Sequence, residues 1–517
     1  MSRRRKILTI ASVVFCVAIL ISIIHHHQLK AAVNRYITEL KAKGEPTELA
    51  QVIPPPMPSE KNSAPLFWKA VAFFTTSNDV LATNWLVPMR GISPGKAIVS
   101  WTQPEIRYED WSNSWEQLQE ALARKSEAFK LLNQITNNAV FDFNLQYTQR
   151  FEMRITNLVF EKKSVQKLSA NAIYDLHAGN TVSATKNVRT ILALVNGTGD
   201  ERTVISQLVR IAIAQIAAAD TWELLQSTNL PDESLAELQK SWSQLEFIQA
   251  LERAFPVERE GALTTTAKWR SSNSELQHYF DLEKRVQIVL GNDGEEKDSL
   301  WERLKLKAEI FLWRYWWSYP DELRYLKGYD VLANAVKFAE TNGAYQVALE
   351  NQDSELERLG ILKLNNSLDA LFSGETDFHS MISESIVTLS GLTKKVMQVE
   401  VAKQTAIVAI ALKRYQLKHG NYPPDLNSLV PEFVSAVPLD PVDGQPLRYK
   451  LNSDGTFLLY SVGENGVDDG GNPALEKGVE SSSFNWQNPH ALDWVWPQPA
   501  TEAEIQACYK KISSKSN

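Results

Sequence analysis

The chain has 517 residues, of which 44% are hydrophobic and 22% charged, a composition that excludes general disorder. Glycine and proline number 22 each, which excludes a collagen-like or low-complexity chain. With 54 Lys and Arg against 61 Asp and Glu, the net charge is −7, so no general positive field favours nucleic acid as a partner. Cys16 and Cys508 lie at opposite ends of the chain, so we expect no disulfide between them.

The N-terminus has the pattern of a membrane anchor. Basic residues at positions 3–6 precede residues 7–24, which carry no charged side chain. As a helix this stretch is about 27 Å long, close to the roughly 30 Å of hydrocarbon in a bilayer. Because Lys and Arg resist translocation, we predict a single-pass helix in the inner (cytoplasmic) membrane, with the C-terminal part periplasmic. A cleaved signal peptide has a similar pattern and stays an alternative.

Three consecutive histidines, at positions 25–27, follow the apolar stretch. Consecutive side chains on a helix point about 100° apart, so a polar collar at the membrane surface is preferred over a metal site. Apolar residues at helical spacing over residues 28–43 predict that the anchor helix continues until Gly44 and Pro46 end it. The prolines between positions 54 and 58 predict a short extended spacer.

Helical patterns dominate residues 62–395. Residues 174–195 predict two helices joined by a turn at Gly179–Asn180. Residues 205–225 are apolar around most of the helix circumference, which predicts a helix in the centre of the fold. Three polar residues argue against a second membrane span there: Gln207, Arg210 and Gln215.

A charged loop is predicted at residues 293–298, followed by a helix over residues 300–317 that ends near Pro320. This helix carries four tryptophans: Trp301, Trp313, Trp316 and Trp317. Their density suggests stacking on sugars or peptidoglycan. Large aromatic residues at helical spacing more often pack in a core or an interface, which is the preferred interpretation.

Glutamates that could form a catalytic pair lie earlier in the chain. Glu252, Glu258 and Glu260 are interleaved with Arg253 and Arg259. Paired carboxylates supply acid and base chemistry in hydrolases, whereas alternating charge near a helix end more often marks a solvated face. The sequence contains no Gly-rich phosphate loop, Gly-x-Ser-x-Gly turn or HExxH helix, so we find no catalytic motif and name no catalytic residue.

From about residue 400 the sequence pattern changes from helices alone to one helix followed by turns and strands. Residues 401–415 place apolar side chains at steps of four and three, which predicts a helix that ends at Gly420. Residues 438–446 contain three prolines and an Asp-Gly pair, which predict a rigid connector rich in turns. Residues 447–451 and 456–462 flank a Ser-Asp-Gly loop and predict a β-hairpin.

This segment resembles the globular domain of the major pseudopilin of bacterial type II secretion and related type IV pilin-like proteins. The residues that match the family's motifs are Gly420, Tyr422, Pro423, Pro438, Asp440, Pro441, Pro446, Tyr449, Tyr460, Ser461 and Gly463, with Gly444 one residue later than in the family. The resemblance implies one helix packed on a small antiparallel sheet. The family's acidic loop binds calcium, which implies a calcium site in this chain at Glu464, Asn465, Asp468 and Asp469.

Taken together, these patterns predict an α+β protein with an N-terminal transmembrane helix, a large mostly helical body and a small pilin-like helix and sheet. The predicted segments are a basic tip and anchor at 1–27, a stalk and Pro-rich spacer at 28–61, a helical domain at 62–395, a pseudopilin-like domain at 396–480 and a tail at 481–517. Residues 44–46 and 60–64 are also similar to membrane-anchored proteins of planctomycete and verrucomicrobial bacteria.

Two classes of function fit this organisation. The first is a membrane-anchored envelope protein that acts as a protein–protein interaction or structural component, related to secretion, with envelope proteins as partners. The second is a periplasmic hydrolase that acts on glycans, for which the tryptophans and glutamates are the motivation. Turnover of a cell-wall polysaccharide that one Glu substitution abolishes would favour the second.

Overall fold

The computed structural model describes residues 3–75, 86–108, 111–136, 138–279, 300–362, 381–479 and 485–515. The fold is mostly helical with small β-sheets, which confirms the α+β class. The chain forms two compact units, the first of residues 1–53, 255–335 and 350–392, and the second of residues 54–254, 336–349 and 393–517. The predicted charged loop at 293–298 lies outside the described residues.

The first ten α-helices are α1 (Arg3–Ala42), α2 (Leu49–Val52), α3 (Ala64–Thr75), α4 (Trp115–Ala123), α5 (Ser126–Leu132), α6 (Asn157–His177), α7 (Thr181–Gly197), α8 (Val204–Leu225), α9 (Asp232–Ser243) and α10 (Ile248–Ser271). They are followed by α11 (Leu300–Leu312), α12 (Ser318–Asn342), α13 (Tyr345–Arg358), α14 (Glu384–His419) and α15 (Glu502–Lys515). A π-helical turn spans Trp313–Trp317, and 3₁₀ turns span Ser59–Lys61, Ser100–Thr102, Tyr147–Glu152 and Leu426–Leu429.

The strands are β1 (Arg90–Ser93), β2 (Lys96–Ile98), β3 (Ile106–Tyr108), β4 (Trp111–Asn113), β5 (Arg448–Leu451), β6 (Phe457–Ser461), β7 (Trp494–Val495) and β8 (Gln498–Pro499). Strands β1 and β2 are antiparallel, and β8 joins β2 in parallel. Strands β3 and β4 form a separate hairpin, and β5, β6 and β7 form an antiparallel sheet. The predicted hairpin of β5 and β6 is confirmed.

Glycines end the predicted helices where the sequence placed the stops. Helix α1 ends before Gly44, which has φ +79°, and the N–H of Glu45 donates to the carbonyl of Leu40 over 3.0 Å. Gly179 between α6 and α7 has the same φ, and Gly420 after α14 has φ +81°. A residue without a Cβ adopts this left-handed conformation at little cost, and the reversed hydrogen bond satisfies a carbonyl at the helix end.

Helix α8 lies in the core of the second unit, where it packs against α6 and α7. Of the helices in the described part of the chain, it is the one with the length and apolar composition of a membrane span. Within its most apolar window, 67% is buried inside the protein. This burial agrees with the prediction of a central helix.

The helix that begins at Leu300 does not stop near Pro320 as predicted. It passes through the π-helical turn and continues as α12. Proline lacks an N–H and removes one hydrogen bond from the ladder, but Pro320 lies three residues after the π-helical turn, where that ladder is already shifted. The π turn inserts an extra residue, and the N–H of Ser318 donates to the carbonyl of Trp313.

The sequence patterns missed the strands outside the hairpin. Four short strands lie within the segment predicted to be mostly helical, and the predicted tail supplies β7 and β8. Each has only two to four residues, too few for apolar and polar positions to alternate visibly. Strands β1 and β2, and β3 and β4, pair as local hairpins, whereas β7 and β8 pair with strands that lie much earlier in the chain.

Candidate functional site

The four residues implied by the calcium hypothesis lie in one loop, but their side chains have separate partners. The Glu464 carboxylate accepts a hydrogen bond from Lys394 Nζ at 2.5 Å. Asp468 accepts from the N–H of Gly470 at 3.0 Å, and it lies 3.5 Å from the Nε of Arg448. The Gly470 N–H, followed by weaker contacts that include the Arg448 cation, lowers the pKa of Asp468.

The other two predicted ligands make weaker local contacts. Asn465 Oδ1 accepts from the N–H of Val467 at 3.0 Å, and its Nδ2 lies 3.5 Å from Asp469 Oδ2. Within the described residues, no group of three or more His, Cys, Asp and Glu side chains is arranged to hold a metal. Calcium takes six to eight oxygens around one point, so this donor set does not fit the ion in the described conformation.

Asp493, a residue of the predicted tail, holds this loop in place. Its carboxylate accepts from the N–H groups of Gly471 and Asn472 at 2.9 Å each, and from that of Asp469 at 3.4 Å. The side chain is buried, and burial raises its pKa despite these donors. The aromatic and β-branched run Trp494-Val495-Trp496, directly after Asp493, was the available signal for a strand here.

Asp440, from the connector that resembles the pseudopilin motif, is a fully buried acceptor. It accepts from Ser461 Oγ at 2.8 Å, and from the N–H of Val462 and Arg448 Nη1 at 3.0 Å each. Burial raises its pKa, and Arg448 supplies the compensating charge. Asp440 thus joins the connector to the end of β6.

Other residues that match the pseudopilin motifs join the end of α14 to the hairpin. The hydroxyl of Tyr449 donates to the carbonyl of Pro423 at 2.7 Å, and the ring of Tyr422 meets Phe457 edge-on at 4.8 Å. The residues that carry the resemblance therefore hold together the helix end, the connector and the sheet. Their positions have a packing explanation within this chain.

A buried pair of carboxylates was not found from the sequence. Glu161 and Glu201 each accept from the same Asn157 Nδ2, at 2.7 Å in both cases. Burial raises the pKa of both groups, and the Glu201 carboxylate raises that of Glu161 further. The side chains of the pair are closed off from solvent, so a polysaccharide cannot reach them in this conformation. The two carboxylates, at positions 161 and 201, are 40 positions apart in the chain, which no local pattern indicates.

The interleaved charges on α10, interpreted from the sequence as a solvated face, are solvated only in part: Glu252, Arg253 and Glu258 are half-buried. Arg259 is buried, with Glu45 at 2.9 Å and Asp330 at 3.4 Å, and Glu260 is buried as well. Glu260 accepts from the hydroxyl of Thr264 on the next turn. These contacts show structural roles for the two residues, while the hydrolase hypothesis stays a prediction for the polysaccharide assay.

The tryptophans on the π-helical turn have different surroundings. Trp313 is buried and its Nε1 donates to Asp321 Oδ2 at 3.4 Å, as expected for a core residue. Trp316 is 41% exposed, and its ring lies 6.4 Å from that of His25 on α1. On the same turn, the carbonyl of Tyr315 accepts a hydrogen bond from His26 Nδ1 at 2.9 Å. His25 and His26 therefore contact the π-helical turn.

No protein-family model, curated protein or solved structure matches this chain significantly. The likeness to pseudopilins therefore rests on the motif residues alone.

Proposed function

We propose that this protein is an envelope protein held in the inner membrane by one N-terminal helix, with its basic tip in the cytoplasm and the remainder in the periplasm. The observation that carries the proposal is the apolar surface of α1. Six of its side chains are between 48% and 59% exposed: Val13, Val17, Leu20, Ile21, Ile23 and Ile24. Such a helix surface is stable in lipid and costly in water, because apolar area in contact with water is unfavourable.

The second part of the proposal is that the pseudopilin-like segment, residues 396–480, acts as a protein–protein interaction or structural module related to secretion. Its support is the motif resemblance and the rigid attachment of the connector through Asp440. The most exposed large apolar side chains described in this segment are Leu439 at 52% and Val467 at 56%. They are the positions at which an interaction can be tested.

The anchor is tested with the full chain carrying a reporter at its C-terminus that is active only in the periplasm. We expect an active reporter, and a full chain that stays in membranes after carbonate extraction. An active reporter with carbonate-soluble protein would instead favour the cleaved signal peptide. Replacing Arg3, Arg4 and Arg5 by Glu should reduce reporter activity, because the cytoplasmic basic residues set the orientation.

The interaction module is tested by crosslinking in intact membranes. The full chain with Leu439→Asp and Val467→Asp should lose the crosslinked species that the wild-type chain forms. Ser453→Asp places a negative charge on the exposed hairpin loop instead and serves as the control for added charge. Identical crosslinks in all three proteins would count against a role for these side chains.

The calcium hypothesis is tested by thermal melting of the full chain in detergent. A calcium ion would have to displace Arg448 from Asp468 and Lys394 from Glu464, so we expect at most a small rise in Tm over chelator. Binding at a hundredfold excess over Kd would stabilise the fold by about 2.7 kcal/mol. A rise of that size, abolished by Asp468→Ala with Asp469→Ala, would establish the site.

A further inference from the structure

Helix α11 and the π-helical turn present one continuous apolar face to solvent. We call this the aromatic face, and its members are Leu304, Phe311, Leu312, Tyr315 and Trp316. Positions 304, 311 and 315 are spaced by seven and four residues, which places them on one side of a helix. The exposed fractions of the five side chains run from 37% for Leu312 to 57% for Phe311.

The orientation of this face is fixed from the buried side of the same turn. The Trp313 side chain is fully buried and meets the Trp269 ring at 6.0 Å in an edge-on arrangement. Arg314 donates to the carbonyl of Trp269 at 2.9 Å and also hydrogen-bonds Asn273. Because these contacts hold the inner side, Tyr315 and Trp316 are directed outward by packing.

The aromatic face meets α1 where the apolar stretch of the anchor ends. His25 follows Ile24 directly, and its ring lies 6.4 Å from Trp316. His26 donates to the Tyr315 carbonyl, and its ring lies 5.1 Å from that of Tyr319. The exposed aromatics are therefore level with the end of residues 7–24.

We propose that the aromatic face lies in the interfacial region of the same membrane that α1 crosses, so that the first unit is held on the bilayer at two places. The inference rests on the proposed anchor. Trp and Tyr favour the boundary between headgroups and acyl chains, where an apolar ring body and a polar N–H or O–H are both accommodated. Continuity with the exposed apolar side chains of α1 favours lipid over a second protein as the occupant.

The test uses the full chain with Cys16→Ser and Cys508→Ser, reconstituted in vesicles of phosphatidylethanolamine and phosphatidylglycerol. A spin label is attached to a single cysteine introduced as Phe311→Cys or, in a second protein, Tyr315→Cys. Both side chains are about half exposed, so the labels should not disturb the core. Collision with oxygen, which enters lipid, is compared with collision with a water-soluble nickel chelate.

Two control positions on α1 separate the new inference from the anchor itself. Leu20→Cys reports on the anchor, and Thr38→Cys replaces an exposed residue of α1 about 21 Å beyond Ile24 along the helix. We expect the labels at 311 and 315 to favour oxygen severalfold relative to the label at 38. These two labels should lie closer to the membrane surface than the label at 20.

Three outcomes would overturn the inference. In the first, the labels at 311 and 315 collide with oxygen and nickel as the label at 38 does, while the label at 20 collides mainly with oxygen. That result would show that the aromatic face lies outside the membrane although α1 crosses it. A label at 20 exposed to nickel would remove the anchor as well. Strong spin–spin broadening at 311 that disappears on dilution with unlabelled chain would show that a second copy covers the face instead.

Discussion

Two apolar stretches in the described part of the chain, residues 7–24 of α1 and helix α8, have opposite surroundings. The apolar part of α1, residues 7–24, carries no charge, and Leu20 and Ile21 are 57% and 59% exposed. Helix α8 carries Arg210, Asp220 and Glu223 and is mostly buried within the protein. A similar length of apolar sequence thus leads in one case to an outward surface and in the other to a core.

The charged residues of α8 show how a core accepts such a helix. Arg210 Nε donates to the carbonyl of Val195 at 2.5 Å, and its Nη1 to that of Glu246 at 2.9 Å. Glu223 accepts from the N–H of Met89 at 2.8 Å and from that of Ser100 at 3.1 Å. Buried charges are tolerated when such partners are fixed around them, so hydropathy alone does not distinguish a span from a core helix.

The largest expected effect comes from truncating the core helix. Trp222 is fully buried, and its Nε1 donates to the carbonyl of Pro497 at 2.8 Å. Trp222→Ala should cost about 3–5 kcal/mol of unfolding free energy, because it opens a cavity and removes that donor. The measurement is denaturant unfolding of the full chain in detergent, followed by circular dichroism.

The matched variant on the anchor is Leu20→Ala. In the proposed anchor this side chain faces lipid, which detergent replaces in the measurement, so the change should stay within about 0.5 kcal/mol of wild type. Comparable losses in both variants would mean that the protein itself covers α1. The comparison between the two helices would then fail.

The next largest effect is expected when a charged residue is introduced into the apolar stretch of α1. Val17 on α1 and Ile205 on α8 have nearly equal exposure, at 49% and 50%. Val17→Arg near the middle of the apolar stretch should raise the free energy of membrane insertion by about 2.5–3.5 kcal/mol. The fraction of the protein that resists carbonate extraction should therefore fall. Ile205→Arg should leave that fraction unchanged, and equal behaviour of the two variants would contradict the proposed difference.

The smallest expected effect concerns the pH dependence of α8. Burial raises the pKa of Asp220 to about 8, and its Oδ1 accepts from the Ser169 hydroxyl at 2.7 Å. Since the unfolded value is about 3.9, the folded chain binds the extra proton between these two values. Stability from this group is therefore complete below about pH 4 and is lost as the pH rises towards 8.

Asp220→Asn keeps the acceptor for Ser169 and removes the titration. Thermal melts at pH 5 and pH 8 should show a smaller loss of Tm for the variant than for wild type. Glu233→Gln, at an exposed position on α9, should keep the wild-type loss. A variant whose loss equals that of wild type would show that Asp220 does not contribute to the pH dependence.

Much of the local structure could be predicted from the sequence. The turn at Gly179, the helix ends at Gly44 and Gly420 and the β5–β6 hairpin depend on residues within one or two turns of each other. The four predicted calcium ligands do lie in one acidic loop, but no local pattern indicates which side chains contact them. Asp468 meets Arg448, and Glu464 meets Lys394, which lies 70 positions away.

The amino-acid sequence by itself determined which stretches are apolar and where several helices stop, because these properties follow from composition and neighbouring residues. Only the tertiary structure decided that Arg259 is buried, that Asp493 holds the acidic loop and that α8 is covered. The Trp222–Pro497 hydrogen bond joins residues 275 positions apart. Pairings over such distances arise from the packing of the whole fold, so local spacing contains no signal for them.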